Sequence, residues 1–159
     1  SLEILAGTGT PYAKAYQTAG GVELGSYSDL EPMPQVTVRN PPLSSLPMRG
    51  AIELKINLPF SRADGKTITA TDIRVVVDDM SNYFTSQTHY HWTYDESGKN
   101  ITVRFISPSG MSFTEPRFSI VFRPSLATVT TPPSLISSLY YDINGNPITG
   151  PAPIVAWQP

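Results

Sequence analysis

The chain has 159 residues, of which 40% are hydrophobic and 15% charged, and its formal net charge is −2 at pH 7. This hydrophobic content excludes a disordered tail, and the slightly acidic balance excludes a strongly basic nucleic-acid binder. The 16 prolines exclude a helical bundle or coiled coil, because proline breaks the interior of a helix. No apolar run approaches the roughly 18 residues of a membrane-spanning helix, so we expect no membrane insertion.

The first part of the chain, residues 1–34, is predicted to be an irregular segment that packs on the rest of the domain. Glycines divide it into short pieces, of which 2–6 and 21–26 have the length and composition of short strands. It ends at Glu31-Pro32-Met33-Pro34, where the prolines exclude regular structure. The chain starts without methionine and shows no signal peptide, so we expect a domain excised from a longer protein, with a mature, processed small protein as the alternative.

From residue 35 onward, apolar and polar residues alternate with the period of two that is typical of β-strands. The clearest strand is 51–58, which puts Ile52, Leu54 and Ile56 on one face and polar side chains on the other. One buried and one solvated face is the pattern of an antiparallel sheet. The same alternation predicts further strands at 35–39, 72–78, 89–94, 101–106, 117–123 and 154–157. The tyrosines at 140 and 141 favour a strand at 135–143, with one helical turn over 134–139 as the alternative.

Turn residues separate these strands. The polar connection between 89–94 and 101–106 carries Gly98, which predicts a hairpin. Asn144-Gly145 predicts a second tight hairpin turn, because both residues tolerate a positive φ.

About eight to ten short strands with regularly spaced turns predict an all-β fold, an antiparallel β-sandwich of the Ig-like or jelly-roll kind. We expect residues 1–159 to form this one domain, with two sheets packed face to face. The predicted core consists of Ile52, Leu54, Ile56, Val75, Trp92, Val103, Phe118 and Ile120.

No sequence motif of catalysis is present, neither a nucleophile elbow, nor a zinc-protease helix motif, nor a phosphate-binding loop, and we expect no enzyme. His89 and His91 point to the same side of one strand and could supply two ligands to zinc, which would need a third from elsewhere. The alternative is that both imidazoles lie on the solvated face, opposite Trp92 in the core. Arg104 on the next strand is also predicted to face outward.

A calcium site is a possible use of the turn that contains Asp142, Asn144 and Asn146, because these residues have the oxygen spacing that opens a calcium loop. Pro153 stands where an EF-hand would carry its bidentate Glu, so an EF-hand is excluded. The alternative is an Asn-Gly turn with polar neighbours. No other cofactor is expected, and the absence of cysteine excludes disulfides and thiolate metal sites.

Binding is predicted in the loops, where several aromatic residues fall. The segment 78–85 combines carboxylates, an amide and rings between two strands, and loops on a rigid scaffold commonly carry binding sites. Such rings stack on sugars or bury contact area at protein interfaces. The alternative is that they fold back onto the core. The predicted binding residues are Asp78, Asp79, Asn82, Tyr83, Phe84, Tyr12 and Tyr16.

The order of several motifs points to a known kind of module. A strand ending in Leu58-Pro59 is followed by a strand with His91-Trp92-Thr93-Tyr94, and then by the Phe-rich strand Phe118-Ser119-Ile120-Val121-Phe122. The chain continues to Tyr141-Asp142-Ile143-Asn144-Gly145-Asn146-Pro147. Over residues 51–148 this order resembles the Ig-like β-sandwich modules of bacterial cell-surface and adhesin proteins.

The resemblance implies an extracellular, cell-surface setting and a role in adhesion or as a structural stalk. The expected partner is a host matrix protein, a glycan or another surface protein, with no role for nucleic acid. Two alternatives stay open at this point. The loop aromatics and the possible calcium loop also fit a carbohydrate-binding module of a secreted enzyme, and the Gly-broken start of the chain also fits the arm of a virion or phage jelly roll.

Overall fold

Alternating apolar residues form short strands throughout the part of the chain that is described. The computed structural model describes residues 22–25, 33–39, 50–78, 90–106, 117–142 and 144–159. These residues form ten strands and one 3-10 turn: β1 (Val22–Gly25), β2 (Gln35–Arg39), β3 (Ala51–Asn57), the 3-10 turn (Ala70–Asp72), β4 (Ile73–Asp78), β5 (Tyr90–Asp95), β6 (Asn100–Ile106), β7 (Arg117–Phe122), β8 (Ser134–Tyr141), β9 (Pro147–Ile148) and β10 (Ile154–Gln158).

The strands predicted from residue 35 onward are all present, with bounds that agree within about two residues. They form two sheets of five strands each. The first sheet has the order β1-β4-β7-β2-β10, and the second has the order β5-β6-β3-β8-β9. All neighbours are antiparallel except β1 and β4, which run parallel at one edge of the first sheet. The prediction of an all-β sandwich is therefore confirmed.

The core fills the space between the two sheets with the inward-facing residues of the strands. Each fully buried aliphatic or aromatic side chain contributes about 1.5–3 kcal/mol relative to an exposed one. All eight residues predicted for the core belong to this cluster. The buried members are Val36, Val38, Ile52, Leu54, Ile56, Leu58, Phe60, Ile68, Ile73, Val75, Val77, Trp92, Ile101, Val103, Phe105, Phe118, Ile120 and Tyr140.

The outer face of the second sheet is partly buried, which corrects one prediction. His91 and Arg104 were predicted to face solvent, but only 7% of His91 and 0% of Arg104 are exposed. The two residues are paired across β5 and β6, and Arg104 lies opposite Glu53 of β3, with 4.0 Å between Arg104 Nε and Glu53 Oε2. Alternation predicts which face a side chain takes, whereas its exposure depends on what packs over that face. His89 lies outside the described residues.

The sandwich has two ends, which we call the base and the top. At the base, β3, β7 and β10 end and β4 and β8 begin. Backbone hydrogen bonds join the segment after β3, the segment after β7 and the start of β4. Ala63 N–H donates to Ser125 O at 2.9 Å, and Arg123 N–H donates to Asp72 O at 2.8 Å. At the top, β2, β4 and β6 end and β3, β5 and β7 begin, as the strand registers require.

Gly50 lies at the top, where the backbone of the chain just after β8 passes directly over it. A Cβ built on Gly50 would overlap the carbonyl oxygens of Tyr141 and Asp142. Because these are backbone atoms flanking the β8–β9 turn, they have little freedom to move away. The close approach therefore requires glycine at this position.

We expect Gly50→Ala to lower the free energy of unfolding by about 3 kcal/mol, as overpacking does, because the β3–β8 pairing must shift to admit the methyl group. Gly65→Ala is the matched control. Gly65 has a φ of +82° with open space around its Cβ position, so only the left-handed backbone disfavours alanine, at about 1–2 kcal/mol. Denaturant unfolding measures both, and equal losses would contradict the close approach at Gly50.

Candidate functional site

An open groove at the base has the size and lining of a binding site, and we call it the base groove. Its volume is about 610 Å³, within the range of roughly 300–1,000 Å³ that small-ligand pockets occupy. Three of the lining residues are polar, namely Arg123, Ser125 and Thr128. The apolar lining consists of Met33, Pro34, Phe122, Pro124, Leu126, Ala127, Val129, Trp157 and Pro159.

Two aromatic rings connect the base groove with the core. Phe122 and Trp157 are both half-buried, and both pack on the buried ring of Phe60. The centroid of Phe60 lies 5.4 Å from that of Phe122 in an edge-on contact and 5.0 Å from that of Trp157. Trp157 takes this position because it lies opposite Val36 on β2, which faces inward. The rings that line the groove are therefore fixed by the same packing that stabilises the sandwich.

One wall of the base groove is the segment 123–129, which leads from β7 towards β8. It lies against residues 61–63, with a bridge between Arg62 and Leu126. Two backbone hydrogen bonds flank this bridge: Ala63 N–H donates to Ser125 O at 2.9 Å, and Ala127 N–H donates to Ser61 O at 2.8 Å. Leu126 and Val129 pack against the core from this wall. The wall is thus held by a backbone ladder, although it contains no regular strand.

Arg62 joins this ladder to the loop before β4. Its guanidinium contacts Asp64 Oδ2 at 2.6 Å and Asp72 Oδ1 at 3.2 Å. Asp72 also accepts the N–H of Thr69 at 2.9 Å, which caps the 3-10 turn. The hydrogen bonds from Arg62, with a further one from Lys66 N–H, lower the pKa of Asp64. The polar network therefore fixes the geometry of the loop that supports the groove wall.

The base groove suits an apolar group with little polar recognition. Its lining offers ring faces and aliphatic surface, while hydroxyls and a guanidinium occur at a few points only. Among the described residues, no group of three or more His, Asp or Glu side chains is placed to hold a metal ion. None of the described helical segments is both long and apolar enough to cross a membrane.

The predicted binding segment 78–85 lies largely outside the described residues. Asp78 is the last residue of β4, at the top of the first sheet and opposite Arg117 in the register. Asp79, Asn82, Tyr83 and Phe84 lie outside the described residues, as do Tyr12 and Tyr16. Their role in binding stays a prediction.

The predicted calcium residues form a closed turn at the top. Asp142 Oδ1 accepts the backbone N–H groups of Asn144 and Asn146, each at 2.9 Å. Gly145 N–H donates to Asp142 O at 2.9 Å, and the turn, which spans 142–146, leads into β9. Gly145 has a φ of +81°, whereas Asn144 does not have a positive φ. The carboxylate of Asp142 thus stabilises the turn itself. A calcium ion at Asp142, Asn144 and Asn146 stays a prediction.

Sequence reasoning missed the base groove. Phe122 and Trp157 lie in predicted strands and were interpreted as ordinary strand residues. The available signal was that Trp157 ends the last predicted strand, 154–157, two residues before Pro159. A large ring in such a position is hard to cover completely. The segment 123–129, which forms the groove wall, gave no periodic signal.

No protein-family model, curated protein or solved structure matches the chain.

Acid is expected to weaken the fold through two carboxylates at the base. Hydrogen bonds from Ser97 Oγ–H and Gly98 N–H lower the pKa of Asp95, as those from Arg62 and Lys66 lower that of Asp64. Both folded-state values lie below the ordinary value of 3.8. The stabilisation is therefore complete above that pH and is lost as the pH falls through the folded-state values.

We expect the unfolding temperature, followed by circular dichroism from about pH 5 to about pH 2, to fall less steeply in the double variant Asp64→Asn/Asp95→Asn than in the unchanged chain. Glu96→Gln, a neighbouring exposed carboxylate, serves as the single-site comparison. Identical slopes for the double variant and the unchanged chain would contradict the stabilising role of these two hydrogen-bonded carboxylates.

Proposed function

We propose that the chain is a non-catalytic β-sandwich module of a bacterial extracellular surface protein and that it acts in adhesion by binding a protein partner at the base groove. The observation that carries this proposal is the base groove: an open apolar cleft at the end of a rigid sandwich, with Trp157 and Phe122 in its lining. Open apolar surface next to aromatic rings is typical of protein interaction sites.

The lining favours a protein partner over a glycan. Sugars need several hydrogen-bonding groups around the ring that stacks on an aromatic side chain, whereas this groove is mostly aliphatic and aromatic. An apolar or aromatic side chain of a partner would displace water from Trp157, Leu126 and Val129. The gain from such burial is about 25 cal/mol per Å² of apolar area, before the costs of association are subtracted.

The scaffold supports a site of this kind because the residues around it are held from several directions. Phe60 fixes the two rings from below, and the ladder between 61–63 and 125–127 fixes the wall. A preformed groove loses little conformational entropy when its ligand binds. The extracellular setting rests on the sequence: low charge, no cysteine and the resemblance over residues 51–148 to modules of bacterial surface proteins.

The test is a binding screen of the chain against extracellular-matrix proteins and a glycan array, followed by one variant at the groove. Met33 lines the groove and is 41% exposed, so Met33→Glu introduces a charge without disturbing the core. We expect this variant to weaken binding of the protein partner at least about tenfold, because the carboxylate must lose water inside an apolar contact.

Ile136→Glu is the matched control. Ile136 is 53% exposed on β8 of the second sheet and does not line the groove, so the same charge there should leave binding unchanged. Binding to glycans alone would instead support the carbohydrate-binding alternative. Equal weakening by both variants, or no binding to any matrix protein, would contradict adhesion through the base groove.

A further inference from the structure

Among the described strands, β10 has a hydrogen-bonded neighbour on one side only. It pairs antiparallel with β2 over its whole length, Ile154–Gln158, and stands last in the order of the first sheet. No described strand lies on its other side. The backbone N–H and C=O groups along such an edge are available to pair with another strand.

The sequence of β10 does not protect this edge. Natural edge strands usually carry a charged residue, a proline, a bulge or very few residues. β9, the last strand of the second sheet, has two residues. β10 has five residues, Ile154-Val155-Ala156-Trp157-Gln158, none of them charged, and the prolines at 153 and 159 lie outside it. An uncharged, regular edge strand of this kind is prone to pair with a strand of another chain.

The side chains of β10 are incompletely covered as well. Val155 and Trp157 face the interior of the sandwich, yet both are half-buried, whereas the inward residues of the neighbouring β2 are fully buried. Ile154, on the opposite face, is 41% exposed. A strand added next to β10 would cover part of these three apolar side chains.

We propose that the occupant is a second copy of this chain, whose β10 pairs antiparallel with the first about a two-fold axis at Ala156. The pairing would extend the first sheet from five strands to ten. Ala156 would lie opposite its own counterpart, Val155 opposite Trp157 of the second copy, and Ile154 opposite Gln158 of the second copy. Paired residues then point to the same face, so the inward faces of both copies stay continuous.

This register favours self-association because β10 is self-complementary. Each Val155–Trp157 pair joins a β-branched and an aromatic side chain, a combination that stabilises cross-strand neighbours. No like charges meet, since β10 has none. A two-fold interface of this kind closes on itself and does not propagate into a fibre. Five residues on each side form a small contact, so we expect a weak dimer with a Kd of roughly 10 µM to 1 mM.

The experiment is sedimentation equilibrium of the chain at protein concentrations from about 10 µM to about 1 mM. We expect the mass-average mass to rise from that of one copy towards that of two. The double variant Ile154→Lys/Gln158→Lys changes two exposed positions and would place lysine opposite lysine twice. Its dimer Kd should rise at least about tenfold.

The variant Ile154→Glu/Gln158→Lys, which pairs opposite charges across the interface, is the control at the same two positions. It would place glutamate opposite lysine twice and should keep the dimer, while circular dichroism shows that both variants fold. A dimer that persists in the lysine double variant, or an unchanged chain that stays at the mass of one copy up to 1 mM, would overturn the proposal. Loss of matrix binding in Met33→Glu tests the base groove separately.

Discussion

The inward row of β3 is the feature on which the rest of the sandwich depends. Ile52, Leu54 and Ile56 are fully buried, and β3 is paired along its length with β6 on one side and β8 on the other. β3 is thus the central strand of the second sheet, and its inward residues form part of the core. The core residues of β7, Phe118 and Ile120, belong to the same buried cluster from the opposite sheet. A non-directional apolar contact and a directional hydrogen-bond ladder support each other at these positions.

The strands could be predicted from the sequence because the period of two is a local property. Each inward residue of 51–57 is two positions from the next, and the turns that end the strands carry glycine or proline. Sheet order is a different matter. The parallel pairing of β1 with β4, and the position of β10 next to β2, join residues far apart in the chain. Nothing in a local pattern distinguishes such partners from others with the same alternation.

The outer faces illustrate a second limit of local patterns. Thr37 and Ser119 lie opposite each other on the first sheet, and His91 and Arg104 do so on the second, and all four are buried. Polar residues at alternate positions indicate an outward face, whereas their exposure depends on what packs over that face. The base groove was missed for the same reason in reverse. Phe122 and Trp157 have the pattern of core residues, yet both are only half-buried because they line the base groove.

Trp157 links the two surfaces proposed here. It lines the base groove, it packs on Phe60, and on β10 it would face Val155 of a second copy. A group that binds in the groove and a strand that pairs with β10 would therefore contact different parts of one side chain. If pairing fixes the indole in the orientation that the groove ligand needs, each event strengthens the other. If pairing turns the indole away, each weakens the other. Thermodynamic linkage requires the factor to be the same in both directions, so the dimer Kd measured with and without groove ligand gives the coupling directly.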